Sequence, residues 1–317
     1  MKVVYLLQNP GIARCTPDGW MSAVVRPGPG GRYTSESFAE LAEAEFLVVG
    51  LEPVSKAIFD AAPRLRFVQR LGVGYDNVDL DAAARRGVPV SNMPDFNAAT
   101  VAEHAVALVL CLQRRLFEST LLMKAGHWPL GTMVAQGIYE LLGKSVGIVG
   151  MGKIGFEVAR RLAAFQCPLL YYDRRRVSPD DERELGLESV PLDDLLRGTD
   201  IVTLHLPLTP ETRHLIGGRE LGLMKKTALL INTARGAIID EAALAEALLE
   251  GSIAGAGLDV YSDEPPAPRD PLRSCKNVVL TPHTAGQTRE AMDRMVTCML
   301  DNLDRVARGV EPRYRVV

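Results

Sequence analysis

The 317-residue sequence lacks most features of secreted, zinc-binding and membrane-spanning chains. Its five cysteines are scattered, odd in number and without a CxxC pair, which argues against both a disulfide framework and a zinc site. No run of ~18 consecutive apolar residues occurs. The apolar run at the N-terminus is shorter than the core of a signal peptide. We therefore expect a cytoplasmic protein with no metal ion and no membrane contact.

A long block of charge of one sign is also missing. The 36 basic and 39 acidic residues are mixed along the chain and leave a formal net charge of -3. No basic cluster is long enough to neutralise a row of phosphates, so nucleic acid is not an expected partner. Hydrophobic residues make up 47% of the chain, which is long enough for two domains with separate cores.

Strand-like and helical stretches alternate along the chain. In the first third, apolar runs such as FLVVG and VPVSN alternate with helical material, which predicts a parallel sheet with crossover helices. From residue 146 the pattern restarts with six apolar runs, from SVGIVGMG to NVVLTPH. Among the helices between them, EAALAEALLEG has Asp240 as its cap and Gly251 as its end. The second region is predicted to be a doubly wound α/β sheet.

The turn-rich stretch NMPDFNAAT marks the crossing between the two regions. It precedes VAEHAVALVLCLQRRL, and Thr100 and Glu103 have the spacing of a capping box. We therefore predict that a long helix begins at this point. A last amphipathic helix follows Gly286 and ends at Gly309.

The motif VGIVGMGKIG contains the first chemical signal. Gly150, Gly152 and Gly155 have G-x-G-x-x-G spacing between an apolar strand and a helix. Such glycines allow a tight turn, a close backbone approach to a pyrophosphate, and close packing of helix on strand. An acidic residue, Asp173, ends the next strand roughly 20 residues later, where ribose hydroxyls are expected. The motif predicts a dinucleotide site.

Polar residues at the strand ends supply the second signal, because ligands bind beyond the carboxyl ends of parallel strands. An arginine can bind a carboxylate, a histidine can transfer a proton, and a glutamate can orient that histidine and raise its pKa. This set suits reduction of a 2-keto acid, or oxidation of a 2-hydroxy acid, beside a nicotinamide. The candidates are His205, Pro207, Thr233, Arg235, Asp259, Glu264 and His283.

Each member of the set also has a structural interpretation. Arg235 could be a turn residue paired with Asp240, Glu264 a solvated residue of a proline-rich loop, and His283 a satisfied histidine at a strand end. Three such coincidences at the same end of one sheet are less plausible than a shared site. We therefore favour the catalytic interpretation.

Five strings in order, GMGKIG, HLPLTPETRHLI, INTARGAIIDEAAL, GAGLDVYSDEPP and TPHTAG, resemble the NAD-dependent D-2-hydroxyacid dehydrogenase family. The resemblance covers nearly the whole chain. It implies a Rossmann-type NAD domain, residues 100–286, inserted into a flavodoxin-like substrate domain, residues 1–99 and 287–317. It further implies a homodimer whose arm runs from the long helix through GHWPLG.

The resemblance also implies roles for individual residues. Arg235 would hold the substrate carboxylate and carbonyl, His283 would protonate the ketone oxygen, and Glu264 would keep His283 protonated. The backbone of Val73 and Gly74 would also bind the substrate carboxylate. The cofactor would contact Gly150, Gly152, Lys153, Ile154, Gly155, Asp173, Arg174, His205, Leu206, Pro207, Thr212, Thr233, Ala234, Arg235, Asp259, His283, Ala285 and Gly286.

Two departures from the family pattern bear on function. Tyr261 is followed by Ser262 where the family usually has a glutamate, which leaves Glu264 as the acidic partner. The chain ends soon after its last predicted helix, without the regulatory extension of longer phosphoglycerate dehydrogenases. We therefore expect glyoxylate, hydroxypyruvate or a similar small keto acid as substrate. The alternatives are 3-phosphoglycerate, and an NAD-sensing dimer of the corepressor type.

Cofactor choice depends on the stretch YYDRRR. Asp173 is placed to accept hydrogen bonds from both ribose hydroxyls, which favours NAD. A 2'-phosphate there would meet a like charge, at a cost of ~4 kcal/mol per charge pair at 4 Å with an effective dielectric near 20. Arg174 could offset part of this repulsion. NADP is therefore expected to be, at most, a poorer second cofactor.

Overall fold

The computed structural model describes residues 1–7, 10–27, 33–94 and 96–317. The chain divides into two compact units. We call Met1–Asn97 with Arg289–Val317 the terminal unit, and Ala98–Thr288 the central unit.

The elements are numbered along the chain. The strands are β1 Lys2–Leu6, β2 Met21–Val25, β3 Phe46–Val49, β4 Phe67–Arg70, β5 Val90–Ser91, β6 Val146–Val149, β7 Leu169–Tyr172, β8 Leu187–Ser189, β9 Ile201–Leu204, β10 Leu229–Asn232, β11 Gly255–Leu258 and β12 Val278–Leu280. The α-helices are α1 Ser35–Ala42, α2 Lys56–Ala61, α3 Leu80–Arg85, α4 Ala98–Gln113, α5 Leu116–Lys124, α6 Leu130–Gln136, α7 Lys153–Ala164, α8 Pro179–Leu185, α9 Leu192–Gly198, α10 Gly218–Leu223, α11 Glu241–Glu250 and α12 Arg289–Ala307.

The terminal unit contains a parallel sheet with the strand order β2-β1-β3-β4-β5. This is the flavodoxin-like order. Every residue of β3 and β4 is buried, as expected for strands covered on both faces. On one face, α12 packs a stripe containing Met295, Met299 and Leu303 against Tyr5 and Phe46.

The central unit contains a parallel sheet with the order β12-β11-β10-β9-β6-β7-β8. The chain starts at β6, builds outward to β8, and then crosses to β9 on the other side of β6. This reversal is the switch point of a Rossmann-type sheet, and a crevice forms there at the carboxyl ends of the strands. The predicted fold class, two doubly wound parallel-sheet domains, is confirmed.

Helix ends differ in how well the sequence predicts them. Asp240 caps α11 by accepting hydrogen bonds from the Ala242 and Ala243 amides, and Gly251 ends it in a left-handed conformation, as predicted. The predicted start at Thr100 is wrong, because α4 begins at Ala98 and Thr100 is buried inside it. The predicted long helix itself is present, because α4 runs for 16 residues to Gln113. Arg115 takes a left-handed conformation with φ 47°, and α5 starts after it.

Candidate active site

The glycine loop between β6 and α7 has three different environments. Gly150 has φ +98°, and a Cβ there would lie 2.6 Å from the His205 carbonyl oxygen. A Cβ on Gly155 would overlap the Gly150 carbonyl oxygen, so this glycine allows α7 to pack on the strand. A Cβ on Gly152 would meet no atom within 4 Å. The open space beside Gly152 is at the start of α7, where backbone amides favour an anion, and Lys153 and Ile154 follow directly.

Asp173 follows β7 and bonds to the glycine loop. One carboxylate oxygen accepts a hydrogen bond from the Met151 amide at 2.7 Å, and the other accepts one from the Arg175 amide at 3.0 Å. Each oxygen keeps further acceptor capacity for ribose hydroxyls. Among the three arginines that follow, Arg176 forms a double hydrogen bond with Glu182. A hydrogen bond with Thr209 lowers the pKa of the Glu211 carboxyl, and the Arg174 charge acts in the same direction.

Two buried polar atoms lie at the ends of β9 and β10. Within the described part of the chain, His205 Nδ1 and Thr233 Oγ1 are buried and have no hydrogen-bond partner. Buried polar atoms are usually satisfied, so a bound ligand or water is the ordinary explanation. Both residues belong to the predicted cofactor set. Together with the space at Gly152 and the carboxylate of Asp173, they fit a dinucleotide.

The remaining predicted cofactor residues lie in the same loops. Thr212 folds back on the loop after β9, because its hydroxyl donates to the Pro207 carbonyl at 2.7 Å. The Ala234 amide donates to the Asn232 side chain at 3.0 Å, which shapes the turn after β10. Leu206 lies between His205 and Pro207 and packs against the core cluster of the central unit.

Desolvation of the partly buried His205 ring makes acid stability testable. Burial lowers the pKa of His205 to about 3, whereas an unfolded histidine has a pKa near ~6.5. Stability from the neutral ring is therefore fully present above pH ~6.5 and is lost as pH falls, by up to ~1.4 kcal/mol per pH unit.

We expect His205→Asn to flatten the fall of the thermal midpoint between pH 7 and pH 4.5, measured without cofactor. His127, which is exposed, provides the control His127→Asn. An unchanged slope in His205→Asn would contradict the assignment.

Asp259 holds the loop after β12. Its fully buried carboxylate accepts hydrogen bonds from the Thr281 hydroxyl at 2.5 Å, the Thr284 amide at 2.9 Å and the Ala285 amide at 2.8 Å. His104 of α4 approaches the same carboxylate at 3.6 Å. The family resemblance implied a cofactor contact for Asp259. The structure adds a role in positioning the loop that carries His283, with Gly286 at its end.

Glu264 and His283 form a hydrogen-bonded pair. His283 Nδ1 lies 2.7 Å from one Glu264 oxygen, and the side chains of His283 and Glu264 are 25% and 29% exposed, respectively. Burial alone would raise the pKa of Glu264, but the hydrogen bond and charge of His283, the Tyr261 amide and the Arg235 charge together hold it below its usual value. An ionised Glu264 only accepts hydrogen bonds, so Nδ1 carries the proton and Nε2 is left for a substrate.

The backbone of His283 is unusual for a residue with a side chain. Its φ of 54° lies in the left-handed region, which non-glycine residues adopt rarely. Its amide donates to the Asp259 carbonyl at 2.8 Å, which helps to hold this conformation. Backbone strain of this kind concentrates at functional sites.

Arg235 lies after β10, on a loop that contacts the loop of Glu264. A Cβ on Gly236 would overlap the Tyr261 carbonyl carbon, so the two loops touch through their backbones. The Arg235 guanidinium also donates to the Ala234 carbonyl at 2.8 Å, and its charge acts on Glu264. The structure thus brings Arg235, Glu264 and His283 to one edge of the sheet. Gly236 was not predicted from the sequence as part of this site, although its place next to Arg235 was a usable signal.

Val73 and Gly74 belong to the terminal unit and follow β4. The Val73 carbonyl accepts a hydrogen bond from the Asn92 side chain at 2.7 Å. Their role as substrate ligands stays a prediction.

Metal-binding clusters and membrane-spanning helices are both absent from the described residues. No group of three or more histidine, cysteine, aspartate or glutamate side chains is placed to hold a metal ion. None of the described helices combines the length and apolar character needed to cross a membrane.

Comparisons with known proteins match the whole fold. A family model for the NAD binding domain of D-isomer specific 2-hydroxyacid dehydrogenases matches residues 106–285. Glyoxylate reductase of Korarchaeum cryptofilum is 46% identical over 263 residues, covering 82% of this chain and 79% of that protein. The TT0316 protein of Thermus thermophilus superposes with a TM-score of 0.89 at 34% identity, with 100% of both chains covered. A NADPH-dependent glyoxylate/hydroxypyruvate reductase of Sinorhizobium meliloti, solved with NADP and malonate, gives a TM-score of 0.85 at 30% identity, covering 100% of this chain and 96% of that one.

Proposed function

This chain belongs to the D-isomer specific 2-hydroxyacid dehydrogenase family, and on that basis we propose that it reduces glyoxylate, or a similarly small 2-keto acid, with NADH. It is an NAD-dependent oxidoreductase that transfers a hydride between NAD(H) and a 2-hydroxy or 2-keto acid. Glyoxylate is the favoured substrate because the relatives described above include two reductases named for it. None of those relatives is described as a corepressor, so that alternative has no support.

The Glu264–His283 pair beside Arg235 is the observation that carries the proposed chemistry. The nicotinamide, when bound, supplies the hydride that goes to C2 of the keto acid. We assign the guanidinium of Arg235 to the substrate carboxylate and carbonyl, which it can bind with two parallel hydrogen bonds. His283 Nε2 then donates a proton to the carbonyl oxygen, while Glu264 holds Nδ1 and stabilises the imidazolium. In the oxidation direction the neutral ring takes the proton back.

The cofactor assignment rests on the loops of the central unit. The proposed pyrophosphate site is the start of α7 at Gly152, with Lys153 and Ile154, and Asp173 is the proposed ribose ligand. We propose that the central unit is the NAD domain and that the terminal unit is the substrate domain.

A panel of keto acids tests the proposed substrate. NADH oxidation followed at 340 nm with glyoxylate, hydroxypyruvate and pyruvate should give the highest kcat/KM for glyoxylate. Oxidation of 3-phosphoglycerate with NAD should be slower by orders of magnitude. Tight NADH binding without turnover of any of these acids would overturn the proposal.

Asp173 should decide between NADH and NADPH. Replacing it with asparagine keeps an acceptor for the Met151 amide but removes the charge that repels a 2'-phosphate. One charge pair is worth ~4 kcal/mol at 4 Å before relief, so we expect the ratio of kcat/KM for NADPH over NADH to rise at least ~10-fold. Arg176→Ala is the control, because that guanidinium bonds to Glu182. The idea is wrong if Asp173→Asn leaves the ratio unchanged.

We also propose a homodimer formed through the arm from α5 to α6. None of the α5 residues is buried, so a second surface is needed to stabilise this helix. The arm exposes large apolar side chains: Leu116 52%, Phe117 57%, Leu121 53%, Trp128 78%, Leu130 59% and Val134 61%. A groove of about 380 Å³ nearby, lined by residues including Leu110, Leu142 and Phe165, adds to the apolar surface. Exposed apolar surface of this extent is typical of association sites.

Sedimentation velocity should show a dimer, and Trp128→Glu combined with Leu121→Glu should convert it to a monomer. The matched control, Lys124→Glu, changes the charge of the same helix but not its apolar surface. A wild-type monomer at micromolar concentration would rule this assembly out.

A reducing compartment, the cytoplasm, is the proposed location. All five cysteines are free thiols, and burial raises the pKa of Cys167 and Cys275. Such thiols are poorly reactive and do not need an oxidising environment.

A further inference from the structure

Glu241 is the first residue of α11, but it does not cap that helix. Asp240 performs the capping by accepting hydrogen bonds from the Ala242 and Ala243 amides. One Glu241 oxygen instead accepts a hydrogen bond from the Ser262 amide at 2.7 Å. Ser262 belongs to the loop that carries Glu264.

The Glu241 side chain is partly buried. Burial raises the pKa of Glu241, and the charges of Asp270 and Asp263 act in the same direction. A carboxyl group loses free energy on burial unless hydrogen bonds compensate it. The contact with Ser262 provides that compensation and ties α11 to the loop.

Further hydrogen bonds and backbone contacts fix the loop that carries Ser262 and Glu264. The second Glu264 oxygen accepts a hydrogen bond from the Tyr261 amide at 3.1 Å. The Tyr261 hydroxyl donates to the Thr281 carbonyl at 2.9 Å, two residues before His283. On the side of Arg235, a Cβ on Gly236 would overlap the Ser262 nitrogen. The peptide between Tyr261 and Ser262 is therefore enclosed by Gly236, Glu264 and Glu241.

We propose that Glu241 is a positioning residue for the reaction: through the Ser262 amide it fixes the loop from which Glu264 orients His283. This inference rests on the proposed function, because the pair it positions is the proposed acid–base pair. The position that usually carries glutamate in this family is Ser262 here, and Glu241 binds the backbone of that residue. Displacing a catalytic group by about 1 Å can cost ~10²-fold in rate. The rate of reduction should therefore be more sensitive to Glu241 than cofactor binding is.

The test compares Glu241→Ala with Glu241→Gln in the full chain. Glutamine keeps an acceptor oxygen for the Ser262 amide, so its kcat should stay within ~3-fold of wild type. Alanine removes the acceptor, and kcat for reduction should fall ~10- to 100-fold with the NADH Kd unchanged. The rate of reduction by the Glu241→Ala variant should also begin to fall at a lower pH, because a displaced Glu264 would stabilise the imidazolium of His283 less. Glu246→Ala, at an exposed glutamate of the same helix, should behave as wild type.

A double-mutant cycle separates positioning from general stability. If Glu241 acts through Glu264, adding Glu241→Ala to Glu264→Ala should lower kcat little further, whereas independent effects would multiply. Glu241→Asp, which retracts the carboxylate, replaces Glu241→Ala if the alanine variant does not fold.

Three results would overturn the inference: wild-type kinetics in Glu241→Ala, equal losses in the glutamine and alanine variants, or multiplicative losses in the cycle. If the wild-type protein turns over no keto acid, the proposed function fails instead. The NMR titration of the His283 imidazole in wild type and Glu241→Ala would then test the positioning role, and identical titrations would reject it.

Discussion

Replacing His283 with glutamine should lower kcat for keto-acid reduction by ~10²- to 10⁴-fold, the usual contribution of a general acid. The ring is held by Glu264 at Nδ1, so Nε2 is left to protonate the developing alkoxide. Glutamine can donate a hydrogen bond but cannot release a proton at neutral pH. The NADH Kd should change by no more than ~3-fold, because the cofactor is held mainly by the glycine loop and Asp173. Stopped-flow measurement of hydride transfer and fluorescence titration of NADH give the two quantities.

The proposed role of His283 also predicts how the rate changes with pH in each direction of the reaction. Reduction needs the imidazolium and oxidation needs the neutral imidazole, so the two rates should change in opposite directions as pH rises. Interactions in the pair hold the pKa of Glu264 below its ordinary value. The ionised Glu264 carboxylate therefore contributes its full stabilising interaction with His283 above pH ~4.3. This interaction is lost only as the pH falls through the lowered pKa of Glu264. Between pH 5 and 9, titration of Glu264 should not affect the profile.

In Glu264→Gln, the rate of keto-acid reduction should begin to fall at a lower pH than in the wild type, and some activity should remain. An unchanged profile in Glu264→Gln, or a His283→Gln variant that still reduces glyoxylate at the wild-type rate, would remove the pair from the mechanism.

Replacing Arg235 with alanine should lower kcat/KM for the keto acid by ~10²- to 10³-fold. Removing one partner of a buried, charged hydrogen bond costs ~2–5 kcal/mol, and a factor of ten corresponds to ~1.4 kcal/mol. Lysine keeps the charge but not the planar fork, so Arg235→Lys should recover only part of the loss. Both KM and kcat should change, because the guanidinium binds the carboxylate in the ground state and the carbonyl oxygen as charge develops on it.

Arg183→Ala, at an exposed position on α8, is the matched control and should have wild-type kinetics. Arg235 also contributes to the lowered pKa of Glu264. The alanine variant should therefore show a small shift of the pH profile as well as the loss in kcat/KM. If the loss appears instead as weaker NADH binding with normal substrate kinetics, Arg235 belongs to the cofactor site.

Individual residues show how much of the fold and of the site can be predicted from the sequence. Gly150, Gly152 and Gly155 were readable because their spacing is local and falls between a strand and a helix. Arg235 and His283 were readable because all strands of a parallel sheet point the same way, so the residues that follow them collect at one edge. Thr100 was misread because a capping-box pattern also occurs inside a helix, where tertiary packing buries the threonine.

Local spacing, strand periodicity and the direction of parallel strands determined, from the sequence alone, the two-domain α/β class, and they selected the glycine loop and the residues proposed as the catalytic set. These features depend on neighbours along the chain, so they can be recognised without coordinates. Only the tertiary structure decided the left-handed backbone of His283, the contact of Gly236 with the Tyr261–Ser262 peptide, and the bond from Glu241 to that loop. The two contacts, and the hydrogen bond from the His283 amide to the Asp259 carbonyl that holds this backbone, join segments far apart in the sequence. No local pattern specifies the distance between such segments.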